Sequence, residues 1–189
     1  TLFIILMLFT ACNADDLQPC EDDTVLFSLA DFPVGVAVGY TELETNTQYR
    51  AIVTNQFNSI TPGNAFKPDA LHPTETDFNF EIADSLVAFA KRNGKRIHGH
   101  TLLWHNQLPS WMNSFSGTKQ EWIDMMETHI KTVVSHFGHQ VESWDVINEA
   151  FEENGDFREN IWYQNIGEEY LELAFEFANE ANPDALLFY

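Results

Sequence analysis

The chain has 189 residues, enough for one sizeable domain and too few for two comfortable ones. Apolar residues make up 44% and aromatic residues 14%, so a real core can be buried with rings left over for a stacking surface. A formal net charge of −20 disfavours nucleic acid and broad anionic ligands, which it would repel, and leaves a neutral ligand as the easier partner.

The chain opens on Thr1 rather than Met, so its true start is expected upstream. TLFIILMLFTAC is an apolar run ending at Cys12, too short to span a bilayer, and it fits the apolar core of an export signal. Small residues ahead of the cysteine (Thr10-Ala11-Cys12) resemble a bacterial lipobox, in which the cysteine is lipidated and becomes the new N-terminus. The plainer reading is an ordinary signal peptide with Cys12 incidental. Residues 1–12 are therefore expected to be the export signal, 13–31 an acidic tether and 32–189 the folded part. A lipid on Cys12 implies an exported protein held at a bacterial outer membrane or cell surface; without it the protein is expected to be secreted or periplasmic. Cys20 then has no partner unless it pairs with Cys12 in a disulfide.

From Phe32 onward strands and helices alternate. FPVGVAVGY reads as a short strand, Thr45 to Gln56 as a helix, FNSIT as a second strand and PGNAFKPDALHP as a loop. Asp77 to Arg92 reads as a helix with Ile82, Leu86 and Phe89 on one face, stopped near Gly94. RIHGHTLLW is a third strand. Thr118 to Phe137 carries a capping box (Thr118, Glu121) and an apolar face of Trp122, Met125, Met126, Ile130, Val133, Val134 and Phe137, closed by Gly138. VESWDVIN is a fourth strand, Glu168 to Asn179 a helix, and ALLFY begins a fifth strand. Such alternation predicts a parallel sheet. No Gly-rich phosphate turn follows the first strand, which disfavours a nucleotide-binding sheet. Polar residues gather at strand ends instead, as in a (β/α)8 TIM barrel, of which about the first five strands would be present, because the whole fold needs about 250 residues.

Those strand-end residues are Asn64 and Lys67 after the second strand, His100, Trp104 and His105 at and after the third, and Asn148-Glu149 after the fourth. A carboxylate in an aromatic cleft is raised by desolvation and can give a proton to a leaving oxygen. The adjacent amide can bond a sugar hydroxyl. Trp104 offers a flat face to a pyranose ring, and Lys67 and Asn64 can donate to hydroxyls; taken singly, each has an ordinary reading as core or surface. His98 and His100, two apart on a strand, point the same way and could suggest a metal pair. The fourth strand offers Asn-Glu rather than further ligands, so no metal and no cofactor is expected. His72, His129, His136 and His139 read as loop or helix-face residues.

GHTLLWHNQLPSW followed by WDVINEA, with TPGNAFKPDALHP and FNFEIADSLVAFAKRNGKRIHGH before them, resembles glycoside hydrolase family 10, the endo-β-1,4-xylanases. The resemblance runs from about Phe32 to Tyr189. It implies that Glu149 is the general acid/base and that Asn148 contacts the sugar beside the scissile bond. It also implies that Asn64, Lys67, His100, Trp104 and Gln107 line the glycone subsites, with His105 close to the catalytic centre. The implied partners are xylan and xylo-oligosaccharides, and the complete enzyme is expected to be a monomer. Where the family has Glu before the Asn of its second-strand motif, this chain has Gly63, which puts a distal subsite in doubt and leaves other β-1,4 glycans open. Retaining hydrolysis needs a nucleophilic carboxylate about 5–5.5 Å from the acid. By resemblance it sits on a later strand, so it is expected beyond Tyr189. Two rivals remain: a non-catalytic surface glycan-binding lipoprotein, and a metal-dependent hydrolase on the same barrel.

Overall fold

In the computed structural model, which describes residues 24–189, five parallel strands follow one another in one sheet. They are β1 (Gly35–Val38), β2 (Ser59–Pro62), β3 (Arg96–Leu103), β4 (Ser143–Ile147) and β5 (Leu186–Phe188). Each pairs only with its sequence neighbours, as in the first five units of a (β/α)8 barrel. Cys12 and Cys20, with the lipobox and disulfide expectations, lie outside the described residues. Within the expected tether, Leu26–Leu29 forms a 3-10 turn, and the Leu26 N–H donates to Gln56 Oε1 at 2.8 Å.

The helices follow local signals. The helix expected from Thr45 to Gln56 forms as α2 (Thr47–Gln56), and a further short helix that was not expected, α1 (Tyr40–Thr45), precedes it. Asn46 breaks the chain into extended backbone, and its side chain caps α2 by accepting from Tyr49 N at 3.0 Å. The expected loop after β2 contains one turn of helix, α3 (Pro68–Leu71), with Pro68 at its first position. α4 (Glu81–Arg92) starts four residues later than expected, because Asp77 is held in a turn with Thr74. Its inner face is Ala83, Leu86, Val87, Phe89 and Ala90, whereas Ile82 points to solvent. After β3 comes a short α5 (Ser110–Ser114), absent from the sequence reading. α6 (Lys119–Phe137) has the predicted capping box and ends where Gly138 takes a φ of +50°. α7 (Ile161–Ile166), also unanticipated, starts at Asn160, whose side chain accepts from Trp162 N and Tyr163 N. α8 (Tyr170–Ala181) completes the set.

Side-chain alternation divides the sheet. Ile60, Ile97, Trp144 and Val146 face the helices and are buried. Gly35, Ser59, Thr61, Arg96, His98, Ser143 and Asp145 line the opposite, concave face around a cavity of about 490 Å³. Trp144 lies against Gly99, where any Cβ would collide with the indole. The Phe66 ring sits 5.4 Å from Trp144 and 4.7 Å from Phe137, so the loop after β2 is pinned to both β4 and α6.

His72 lies in the loop after α3 and His129 on a face of α6, as read from the sequence; both are buried and pair Nδ1 to Nδ1 at 3.2 Å. His129 Nε2 lies 3.1 Å from Leu102 O, and a carbonyl only accepts, so that nitrogen carries the proton. His129 Nδ1 is then the acceptor and His72 Nδ1 the donor. Their i, i+4 neighbours gave no sequence hint of this, since they meet across 57 positions.

Burial, reinforced by His72, pushes the His129 imidazole down to about 3. Unfolding therefore takes up a proton between about pH 6.5 and 3, and stability falls as pH falls through that window. One such group contributes a slope of about 1.4 kcal/mol per pH unit. Urea unfolding of His129→Gln across pH 4–6 is expected to show a shallower loss than the parent chain; an unchanged slope would assign the acid lability elsewhere.

Candidate active site

The strand ends gather the polar residues picked from the sequence. Asn64 and Lys67 lie on the loop from β2 to α3, His100 on β3, Trp104, His105 and Gln107 just beyond it, and Asn148 and Glu149 just beyond β4. Lys67 is only 8% exposed, and Phe66 beside it is fully buried, so the loop has no freedom to swing its ammonium out. Lys67 Nζ donates to Asn64 Oδ1 at 3.0 Å and to Gln107 Oε1, while Gln107 Nε2 donates to Asn64 Oδ1 at 3.3 Å. The same ammonium lies 4.9 Å from the centre of the Trp104 ring. A cation, two amides and an indole face thus form one patch.

Trp104 also ties this patch to the carboxylate. Its Nε1–H donates to Glu149 Oε2 at 3.0 Å, and His105 Nε2 stands 3.7 Å from the same oxygen. Trp104 is itself held from behind by Trp162, whose Nε1–H donates to the Trp104 carbonyl at 2.9 Å. The Glu149 side chain remains 48% exposed, so the described residues do not close the enclosing cleft the sequence suggested. Asn148 donates its backbone N–H to Leu103 O at 2.9 Å, and its side-chain amide makes no hydrogen bond among the described residues. Burial pushes the His105 imidazole down and the Arg158 charge adds to this, against the opposing pull of Glu149 and Glu152. A neutral imidazole therefore stands beside the Glu149 carboxylate.

His98 and His100 do converge, but on Asp145. His98 Nε2 donates to Oδ1 at 3.0 Å and His100 Nδ1 to Oδ2 at 2.8 Å, and Ser143 Oγ lies 2.8 Å from His98 Nδ1. Burial alone would raise the Asp145 carboxyl; the bonds from His100 and His98 overcome it and hold the group well below the usual carboxylate range. This arrangement turns His100 so that Nε2 is its free edge. Among the described residues no cluster of three or more His, Cys, Asp or Glu side chains is placed to hold a metal. Sequence reasoning passed over Asp145, although a charge inside the run SWDVI was a signal that this strand has a polar face. It also passed over Arg158 and Trp162, which lie in a loop and a short helix with no periodic pattern.

The sequence profile of Glycosyl hydrolase family 10 matches residues 26–189. Endo-1,4-beta-xylanase B of Thermotoga neapolitana is 45% identical over 187 residues, which is 98% of this chain and 54% of that protein. The solved native xylanase 10B from Thermotoga maritima superposes with a TM-score of 0.85 at 44% identity, covering 88% of this chain and 53% of that one. Xylanase 10B from Thermotoga petrophila RKU-1, solved in complex with xylobiose, gives a TM-score of 0.85 at 43% identity, over 88% of this chain and 52% of that one. The chain spans about half the length of these relatives.

Asp145 stabilises the fold above its unfolded range, near pH 3.9, and that contribution is lost as pH falls through its depressed native range. Asp145→Asn is expected to lower the unfolding free energy at pH 7 by about 1–3 kcal/mol, with the gap to the parent chain narrowing below about pH 4. Denaturant titrations at pH 7 and pH 3 measure both; an equal gap at the two pH values would mean the carboxylate is not held by its imidazoles.

Proposed function

The chain belongs to glycosyl hydrolase family 10, and from that premise we propose that it acts as a retaining endo-1,4-β-xylanase with Glu149 as general acid/base. The observation that carries the reading is the single strand-end face on which Glu149 meets Trp104 at 3.0 Å and, through Trp104, the Lys67–Asn64–Gln107 patch. Xylan and xylo-oligosaccharides are the substrates, by analogy with relatives named as xylanases and with one solved in complex with xylobiose.

A pyranose ring lies over the Trp104 indole, with Lys67 and Asn64 donating to its hydroxyls and the free His100 Nε2 accepting from another. Asn148 contacts the sugar next to the scissile bond. Protonated Glu149 gives its proton to the glycosidic oxygen as the C–O bond breaks and the electron pair passes to that oxygen. A second carboxylate, carried by a strand that follows β5 in a complete barrel, attacks the anomeric carbon from the other face. Glu149, now ionised, takes a proton from water as that water releases the sugar. No cofactor enters this sequence.

Gly63 bears on substrate range. A Cβ at this position would meet only Val38 O, at 3.4 Å, so the backbone does not demand glycine there. The next residue, Asn64, lines a cavity of about 550 Å³ together with Val38, Tyr40, Glu42, Asp69 and Gln107. We propose that this cavity is the distal glycone subsite, roomier than one with a carboxylate at position 63. Lipidation of Cys12, with placement at a bacterial outer membrane or cell surface, completes the proposal, and a chain with a net charge of −20 has no call on nucleic acid.

Glu149→Ala in the full-length protein is expected to slow xylan cleavage by about 10²–10⁴-fold. The bond-breaking step for an aryl xylobioside with a strongly acidic leaving group needs no proton and is expected to be largely spared. Reducing-end release and burst kinetics measure the two. Wild-type xylan cleavage by Glu149→Ala sinks the assignment; xylo-oligosaccharide binding by the unsubstituted protein with no cleavage supports a glycan-binding role instead.

A further inference from the structure

Glu149 carries its role on a backbone that ordinarily resists it. Its φ is +56°, in the left-handed region where a residue with a Cβ is disfavoured by roughly 1–2 kcal/mol. Such a conformation persists only where the surroundings over-determine it. The turn at Glu149 swings its carbonyl out of the β4 ladder, and Arg158 Nε donates to that carbonyl at 3.1 Å.

The loop between β4 and α7 is built to bring Arg158 back to this point. Phe151 and Phe157 form an antiparallel bridge with their rings 4.9 Å apart. Glu152 N donates to Asp156 O at 2.8 Å, Gly155 N to Glu152 O at 2.9 Å, and Arg158 N to Ala150 O at 2.7 Å. The hairpin so closed sets Arg158 beside Glu149, and its second arm, Nη2, reaches Glu152 Oε2 at 3.3 Å. The planar guanidinium serves both acceptors at once, which a lysine ammonium on a flexible stem cannot do with the same geometry.

We infer that Arg158 is the positioning residue for Glu149: it locks the backbone of the proton donor through its carbonyl. The inference rests on the reading of Glu149 as general acid/base. The charged groups that face His105 are Arg158 and Glu152 from the hairpin and Glu149 from the end of β4, with the Lys67 ammonium over the adjacent Trp104. Of these, Arg158 opposes a proton on His105, and the two glutamates favour one. An imidazolium 3.7 Å from Glu149 Oε2 would stabilise the ionised carboxylate and so oppose the protonated form that a leaving oxygen requires. The indole N–H of Trp104, a neutral donor, then holds the same oxygen without adding a full charge.

Arg158→Gln removes the charge and shortens the donor; Arg158→Lys keeps the charge and removes the fork. In the full-length protein, Arg158→Gln is expected to lower kcat on unactivated xylo-oligosaccharides by about 10–100-fold, as misplacement of a reacting group does, with KM within about threefold. The loss is expected to be smaller on an aryl xylobioside with a strongly acidic leaving group, because that substrate needs no acid. The His105 ring, followed by NMR, is expected to titrate at higher pH in Arg158→Gln and to return toward the parent value in Arg158→Lys, which recovers only part of kcat. Unchanged kcat in Arg158→Gln, or equal losses on the two leaving groups, overturns the inference and leaves Arg158 a structural residue at most. Glu149→Ala, run alongside, separates the two levels: if it cleaves xylan normally, the acid/base reading itself falls, whatever Arg158 does.

Discussion

The indole of Trp144 fills the space that Gly99 leaves empty, and the placement of every strand-end residue depends on that contact. β3 and β4 approach closely only because no Cβ stands between them and the ring. The same indole stacks on Phe66, and Phe66 packs at a tilt against Phe137. One aromatic cluster therefore joins the loop after β2, two neighbouring strands and the longest helix. Packing at interior density transmits position, so Asn64 and Lys67, on either side of Phe66, are set relative to Glu149 before any polar contact forms. The polar patch is fine adjustment on a geometry that apolar burial has already imposed.

The charges of this face behave differently from those of the rest of the molecule. A chain with 29 acidic and 9 basic residues places two of its few cations, Lys67 and Arg158, against the strand ends. Lys67 is wrapped by amide oxygens and an indole, and Arg158 by a carbonyl and a carboxylate. Asp145 is matched by two imidazoles. Each ion is spoken for by hydrogen bonds inside the site, which leaves a surface of oriented donors and acceptors rather than a net field. That is the kind of surface a polyol recognises, since a neutral sugar responds to hydrogen-bond direction and to a flat apolar face, and not to potential.

Much of this was legible in the sequence. The alternation of apolar runs fixed the parallel order, and Thr118, Glu121 and Gly138 marked both ends of α6 because capping is a local matter of side chain and backbone. The site residues were found because strand ends are where polar types interrupt an apolar run. What escaped was set by contacts distant in sequence or by segments too short for a period. Asn46 divides α1 from α2 through one cap. α5 and α7 are five and six residues long, below the length at which a helical pattern declares itself. Ile82 fits the apolar face of α4 by spacing and yet is exposed, because burial there turns toward Ala83, Val87 and Ala90. His129 shares the spacing of the buried face of α6 but not its apolar type, and His72 carries no mark of burial in the sequence; their pairing across the fold accounts for both.

Two residues of the polar face break the backbone rule that the rest of the described chain keeps outside glycine: Gln107 at φ +50° and Glu149 at φ +56°. In each, the left-handed turn sends the carbonyl away from the direction the preceding strand would give it, and a buried or half-buried carbonyl needs a donor. Both have one from another part of the chain. Gln107 O accepts from Asp69 N on α3 at 3.0 Å, and Glu149 O accepts from Arg158 Nε at 3.1 Å. The donor in the first case is reached through the Phe66-pinned loop and in the second through the Phe151–Phe157 hairpin. Local preference at positions 107 and 149 therefore argues against the conformation observed, and tertiary contacts supply it. That is where strain is expected to collect in a protein whose strand ends must aim side chains at a ligand instead of continuing a sheet.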